Sequence, residues 1–309
     1  MKKRLSVFGV CLLAVLTLSA LPLTGYASAP VDPERESSLT LVYRRGETAY
    51  AGLEITVYRV AEVFPDGTYA LTGAFSDYPV NIDGITAQSE WDAVASTLAA
   101  YAQADGTAPT GRALTDGEGT VQFFGILPGM YLTTAVRAET AAEVAVFESF
   151  LTVLPYPEED GGLSYAVSAF PKCESYTPKP DPVSYKVVKQ WKDNGYTAGR
   201  PASVAVDILK DGVLQSTQTL SAENDWLYEW TAPDDGSLWQ AVERSVPSGY
   251  TVTVAQNGST ILITNAYDSG TGEPPKTGDT FVLWPYALAM GLSGALLILL
   301  AIWRQRKNK

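Results

Sequence analysis

Tyr185 to Trp191 reads YKVVKQW, and Thr260 to Tyr267 reads TILITNAY. Both stretches alternate, and alternation every second residue marks a strand with one face turned to a core. On that period Tyr185, Val187, Lys189 and Trp191 share one face of the first stretch, and Ile261, Ile263 and Asn265 share one face of the second. Between them Val204, Val206 and Ile208 alternate ahead of a turn at Asp211-Gly212. Trp226, Tyr228 and Trp230 make an aromatic strand, Trp239, Ala241 and Glu243 line one face of another, and Asn257-Gly258 reads as a hairpin turn. The pattern predicts an all-β sandwich over 184–267. It also sends Lys189, Glu243 and Asn265 toward the core. A lone buried ammonium or carboxylate is very costly, so the three are expected to meet. The competing reading of the same spacing keeps Lys189 on a strand edge, where lysines are common, and Asn265 in a turn.

The segments VVKQWKDNG (187–195), WQAVERSVPSGY (239–250) and ILITNAY (261–267) resemble, in that order, the collagen-adhesin B-type (Cna-B) repeat of Gram-positive surface proteins and pilins. The resemblance implies an immunoglobulin-like or prealbumin-like domain. It also implies an intramolecular isopeptide bond between a first-strand lysine and a last-strand asparagine, aided by a glutamate. In this sequence those residues are Lys189, Asn265 and Glu243. An apolar, aromatic surround would lower the amine's pKa and raise the acid's, giving a neutral nucleophile beside a proton carrier. Held in place, such groups need no external catalyst.

Upstream, residues 36–172 read as a second module of the same class, so that the chain is predicted to hold two tandem immunoglobulin-like or prealbumin-like β-sandwich domains. LTLVYRRGETAYAGLEITVYRVAEV (39–63) supplies two strands and GTVQFFGILPGMYLTTAV (119–136) another pair. Phe124, Leu127, Pro128, Gly129 and Tyr131 resemble, more loosely, the hairpin of pilin and Cna-B-like modules. Between the pairs a short inserted helix is expected, capped by Ser89, with Trp91, Val94, Leu98 and Tyr101 on the face that packs on the sandwich. No lysine lies between Val31 and Pro171, so an internal Lys–Asn bond in that module would have to use Lys172. Residues 173–183, with prolines at 178, 180 and 182, predict a linker of polyproline tendency. Residues 268–273, DSGTGE, predict a flexible stalk.

The chain ends decide where such domains would sit. Lys2, Lys3 and Arg4 precede an apolar run and small residues, which is the layout of a secretory signal peptide over 1–27. An uncleaved N-terminal anchor is the alternative, and a lipoprotein reading through Cys11 lacks the small residue before the cysteine. Near the far end Pro274, Pro275, Lys276, Thr277 and Gly278 are followed by an uncharged run from Phe281 to Trp303 and a basic tail. A run of that length spans a bilayer core as a transmembrane helix, and the basic cluster stays inside. Pentapeptide, apolar span and tail in this order (274–309) resemble the LPxTG-type cell-wall sorting signal, which sortase cuts between Thr and Gly. The departure is Pro274 where that family has Leu. Leu21 to Gly25 also reads LPLTG, but lies in the signal peptide with no such surroundings. The other reading is a single-pass membrane protein in which PPKTG is only a linker.

Phe170-Pro171-Lys172 is similar to the tyrosine-proline-lysine motif of major pilins, whose lysine accepts the sorting-signal threonine of the next subunit. An ordinary exposed lysine ending a strand is the alternative.

Composition closes several classes. The sequence has 22 basic and 34 acidic residues and no histidine. Trimmed after residue 27 and after Thr277, it keeps 15 basic and 33 acidic groups, and so strong a negative charge disfavours nucleic acid. Without imidazole the usual general base and metal ligand are missing. Cys173 is the one cysteine left after export, so no intrachain disulfide forms, and it reads as an inert exposed thiol or an interchain partner. No metal and no cofactor are expected. The reading is a wall-anchored surface structural protein of a Gram-positive bacterium, a pilin or pilus-associated subunit and not an enzyme. Its expected partners are sortase, the peptidoglycan cross-bridge or neighbouring subunits, with the membrane only before sorting. The alternative is a monomeric wall-anchored adhesin binding a host or matrix ligand. A glycosidase built on paired carboxylates is the third, with no spacing that singles one out.

Overall fold

In the N-terminal half, β1 (Ser37–Val42) pairs antiparallel with β5 (Thr120–Ile126) and parallel with β9 (Ala166–Ala169). The facing sheet runs β8 (Phe150–Leu154), β6 (Gly129–Ala135), β2 (Glu54–Val63), β3 (Tyr69–Leu71), and β4 (Gly111–Leu114) also pairs with β2. The computed structural model describes residues 30–139, 143–158 and 161–267. The expected signal peptide, the stalk, PPKTG and the 281–303 span all lie outside the described residues. Among those described, no helix is long and apolar enough to cross a membrane.

The inner faces of these sheets meet through Leu39, Leu41, Ile55, Val57, Val121, Phe123 and Tyr131. β2 is buried on both faces, because α1 (Gln88–Ala104) covers the other side. Tyr58, Val60, Met130 and Leu132 pack there against Val94, Ala95, Leu98, Ala99 and Ala102. Ser89 does not cap this helix. The cap is Ala87, whose N–H donates to Glu90 Oε2, and Ser89 lies inside the first turn. Nor is there a single packing face. Val94 and Leu98 turn to the N-terminal sheet, whereas Tyr101 and Ala100 turn to the core of the C-terminal half. Small residues in the run STLAAYAQA let the helix lie close to both.

The C-terminal half is a sandwich of two sheets. One runs β14 (Leu227–Asp234), β11 (Lys179–Lys192), β17 (Thr260–Tyr267), β16 (Tyr250–Asn257). The other runs β13 (Val213–Ser221), β12 (Ser203–Lys210), β15 (Trp239–Glu243). β11 and β17 are parallel neighbours, with Lys189 opposite Ile263 and Trp191 opposite Asn265. Asp211 and Gly212 have φ of 52° and 77° and turn the β12–β13 hairpin, as their left-handed tolerance predicts. The other hairpin is displaced by one residue. Asn257 pairs with Thr260, so the loop is Gly258-Ser259.

The expected linker is largely strand. β10 (Cys173–Tyr176) pairs with β7 (Val144–Phe147), and β11 begins at Lys179. Prolines lack the ladder donor; Pro180 and Pro182 fall where the β11–β14 register slips, between Lys179 and Val183, and Pro178 precedes the strand. Hydrogen bonds also cross between the halves: Arg137 reaches Asp211 and Ser237, and Val252 N–H donates to the Pro79 carbonyl. The described residues accordingly form one compact unit.

Candidate functional site

Parallel pairing of β11 with β17 brings Lys189 and Asn265 to one inner face, two residues apart along the ladder. Glu243, the last residue of β15, faces them from the opposite sheet. Lys189 is 5% exposed, and Glu243 and Asn265 are 0% exposed, so the strand phase read from alternation places all three inside. Lys189 Nζ stands 3.8 Å from Glu243 Oε2, and Asn265 Nδ2 donates to Glu243 Oε1 at 2.8 Å. One carboxyl group therefore touches both the amine and the amide. The edge-strand reading of Lys189 does not hold, since β11 lies between β14 and β17.

The trio is under-satisfied. Lys189 Nζ donates to the Gln190 carbonyl at 2.8 Å and sits 3.9 Å from the centre of the Trp191 ring. Glu243 Oε2 and Asn265 Oδ1 are buried with no hydrogen-bond partner. Burial pushes the Lys189 amine down to about 8, with the nearby Glu243 carboxyl partly offsetting it. Burial also raises Glu243, against the pull of Lys189 and Asn265. Both shifts favour neutral forms, as desolvation requires.

Beyond Trp191, which the alternation already puts on the Lys189 face, two supports of the site were not legible in the strand pattern. Trp191 roofs the amine, and the loop after β11 holds that end shut: Arg200 makes a two-toothed contact with Asp193 at 2.6 and 2.7 Å, and Tyr250 Oη donates to Asp193 at 3.0 Å. Arg200, above all, keeps the Asp193 carboxyl well below the usual range. The second support is Tyr101, whose hydroxyl donates to the main-chain carbonyl of Glu243 at 2.8 Å from the other half of the chain.

Lys172 does not join this group. It is exposed, on the short connection between β9 and β10, beside Phe170 with its ring in solvent at 75% exposure. Cys173 is not the exposed thiol expected. It packs against the N-terminal core, its Sγ 3.4 Å from Tyr50 Oη. Pro274, Pro275, Lys276, Thr277 and Gly278 lie outside the described residues. Among the described residues no cluster of acidic and cysteine side chains could hold a metal.

Residues 185–266 match the family model described as Cna protein B-type domain. The C-terminal half thus carries a Cna B-type match spanning every strand that builds the trio. A collagen adhesin of Staphylococcus aureus is 32% identical over 96 residues, which is 28% of this chain and 8% of that protein. The chain therefore spans a small fraction of that relative's length. Among solved structures, the single B repeat unit B1 of the S. aureus collagen-binding surface protein overlaps 75% of this chain and 98% of its own, at 14% identity and a TM-score of 0.27. The full-length major pilin SpaD of Corynebacterium diphtheriae overlaps 77% of this chain and 66% of its own, at 16% identity and a TM-score of 0.32.

Proposed function

We propose that this chain is a covalently reinforced surface subunit, exported, anchored through PPKTG, and built into a pilus or pilus-associated structure. The observation that carries the reading is the buried contact of Glu243 with both Lys189 and Asn265. A lysine, a glutamate and an asparagine with two orphaned oxygens form a poor core but a suitable reaction site. The neutral Lys189 amine attacks the Asn265 carboxamide carbon. Glu243 takes a proton from Nζ through Oε2 and delivers one to Nδ2 through Oε1. A C–N amide bond forms, the bond to Nδ2 breaks, and ammonia leaves. Turning the carboxamide over exchanges Nδ2 and Oδ1, and lets a protonated Glu243 donate to the carbonyl oxygen as charge develops there. The product ties the first strand of the sandwich to the last and leaves no titratable amine in the core.

In the same reading, sortase cleaves Thr277–Gly278 and passes the Thr277 acyl group to Lys172 of a neighbour or to wall peptide. The exposure of Lys172 beside Phe170 suits an acceptor that a second protein must reach. Wall material released by a muralytic enzyme and boiled in detergent is expected to show a ladder of high-mass species on immunoblotting, lost in Lys172→Ala. A single wall-linked band in the native chain would instead favour the monomeric adhesin, with PPKTG serving only as an anchor.

A further inference from the structure

The C-terminal sandwich is completed by the other half of the chain. β16 is the open edge of its sheet, and open edges invite pairing with foreign strands. Here two of its amides are taken by the N-terminal half. Val252 N–H donates to the Pro79 carbonyl at 2.7 Å, and Val254 N–H donates to Thr97 Oγ1 at 2.7 Å. On the facing sheet, Glu243 is the last residue of the short β15 and pairs with Val206; just past it Arg244 N–H still donates to the Ala205 carbonyl of β12 at 3.0 Å, and the Arg244 guanidinium donates to Asp207. At the same place the strand is also held from α1. Tyr101 Oη donates to the Glu243 carbonyl at 2.8 Å, and Arg244 donates to Asp105, at the end of α1, at 2.6 Å. Tyr101 is itself buried and stacked on Tyr78, with ring centres 4.6 Å apart. Its hydroxyl bonds main chain and not the Glu243 carboxyl, so it holds the strand without entering the proton transfer.

We propose that α1 is an intramolecular clamp and Tyr101 a positioning residue, setting Glu243 for amide formation so that the C-terminal sandwich matures only with the N-terminal half docked on it. This rests on the reading that Lys189 and Asn265 become joined. The reaction needs carboxyl, amine and amide in one fixed arrangement, and a small displacement of a reacting group is costly. The strand that carries the carboxyl ends at the point where the clamp grips it.

The test follows ammonia loss by intact mass in the full chain from residue 28 to Thr277, made by cell-free synthesis and sampled over time. The rate is expressed per folded molecule, with folding read from near-ultraviolet circular dichroism. Tyr101→Phe keeps the ring and removes the bond to Glu243. It is expected to slow the reaction about three- to tenfold, the effect of one buried hydrogen bond. Asp105→Asn weakens the second grip at the surface, leaves Tyr101 in place, and is expected to slow it about twofold. If Tyr101→Phe does not fold, Asp105→Asn decides: a slower rate supports the clamp and an unchanged rate overturns it. Native rates in both variants overturn the clamp and leave the Lys189–Asn265 reading intact. Full mass in the native chain overturns both.

Discussion

Asn265→Ala should leave the protein at its full sequence mass and lower its stability on the order of 4–5 kcal/mol, the effect of losing a cross-link across a loop as long as Lys189 to Asn265. For a unit of this size that corresponds to a fall in Tm of about 10–20 °C. The cross-link acts on the unfolded chain, whose ends it keeps together, so the loss does not depend on any contact in the folded state. A second readout is qualitative. A protease nick between β11 and β17 leaves the native chain in one covalent piece on a denaturing gel, whereas the variant separates into two. Equal melting temperatures and two pieces from the native chain would both contradict the tie.

Glu243→Ala should stop the reaction and cost more than the tie alone. The variant keeps Lys189 as a free buried amine without its carboxyl partner, and an uncompensated buried group of this kind typically costs about 3–5 kcal/mol. The pH dependence has a definite sign. In the folded chain burial holds Lys189 down to about 8, and Glu243 is the largest influence raising it. Without Glu243 the amine falls further below its unfolded value of 10.5. Between those two values the unfolded chain binds more protons, so the variant gains stability as pH rises through that window. The native chain is expected to show no such gain, because the proposed amide consumes its amine. Urea unfolding at pH 7 and pH 9, with intact mass on the same samples, checks both statements. Glu243→Gln keeps the shape without the carboxyl; it is expected at full mass with a smaller stability loss. Either variant arriving one ammonia lighter would remove Glu243 from the chemistry.

The C-terminal half was legible because its strands alternate cleanly. With one face buried, a period of two fixes which side chains go inside, and Lys189, Glu243 and Asn265 break an otherwise apolar face. The chain pairing that makes Lys189 and Asn265 neighbours, β11 parallel to β17, is long-range and not written in the spacing; their meeting was expected from the cost of burying them apart. Where local propensity competed with tertiary pairing, the expectation failed. Prolines at 178, 180 and 182 suggested a free linker, yet from Lys179 the chain runs as strand, with a register slip that accommodates Pro180 and Pro182. The helix was visible as a helix, but its two-sided role was not. Tyr101 looks like one more residue of an amphipathic stripe, and only the docking of the halves turns its hydroxyl to Glu243. Cys173 was read as exposed because nothing local reveals that β10 lies against Tyr50.

The most direct measurement is the intact mass of the purified native chain, followed by fragmentation of the proteolytic peptide that contains both β11 and β17 segments. A mass one ammonia below that of the sequence, with the loss assigned to a Lys189–Asn265 branch, is the predicted result. Full mass, with Lys189 and Asn265 recovered in separate unmodified peptides, would contradict it.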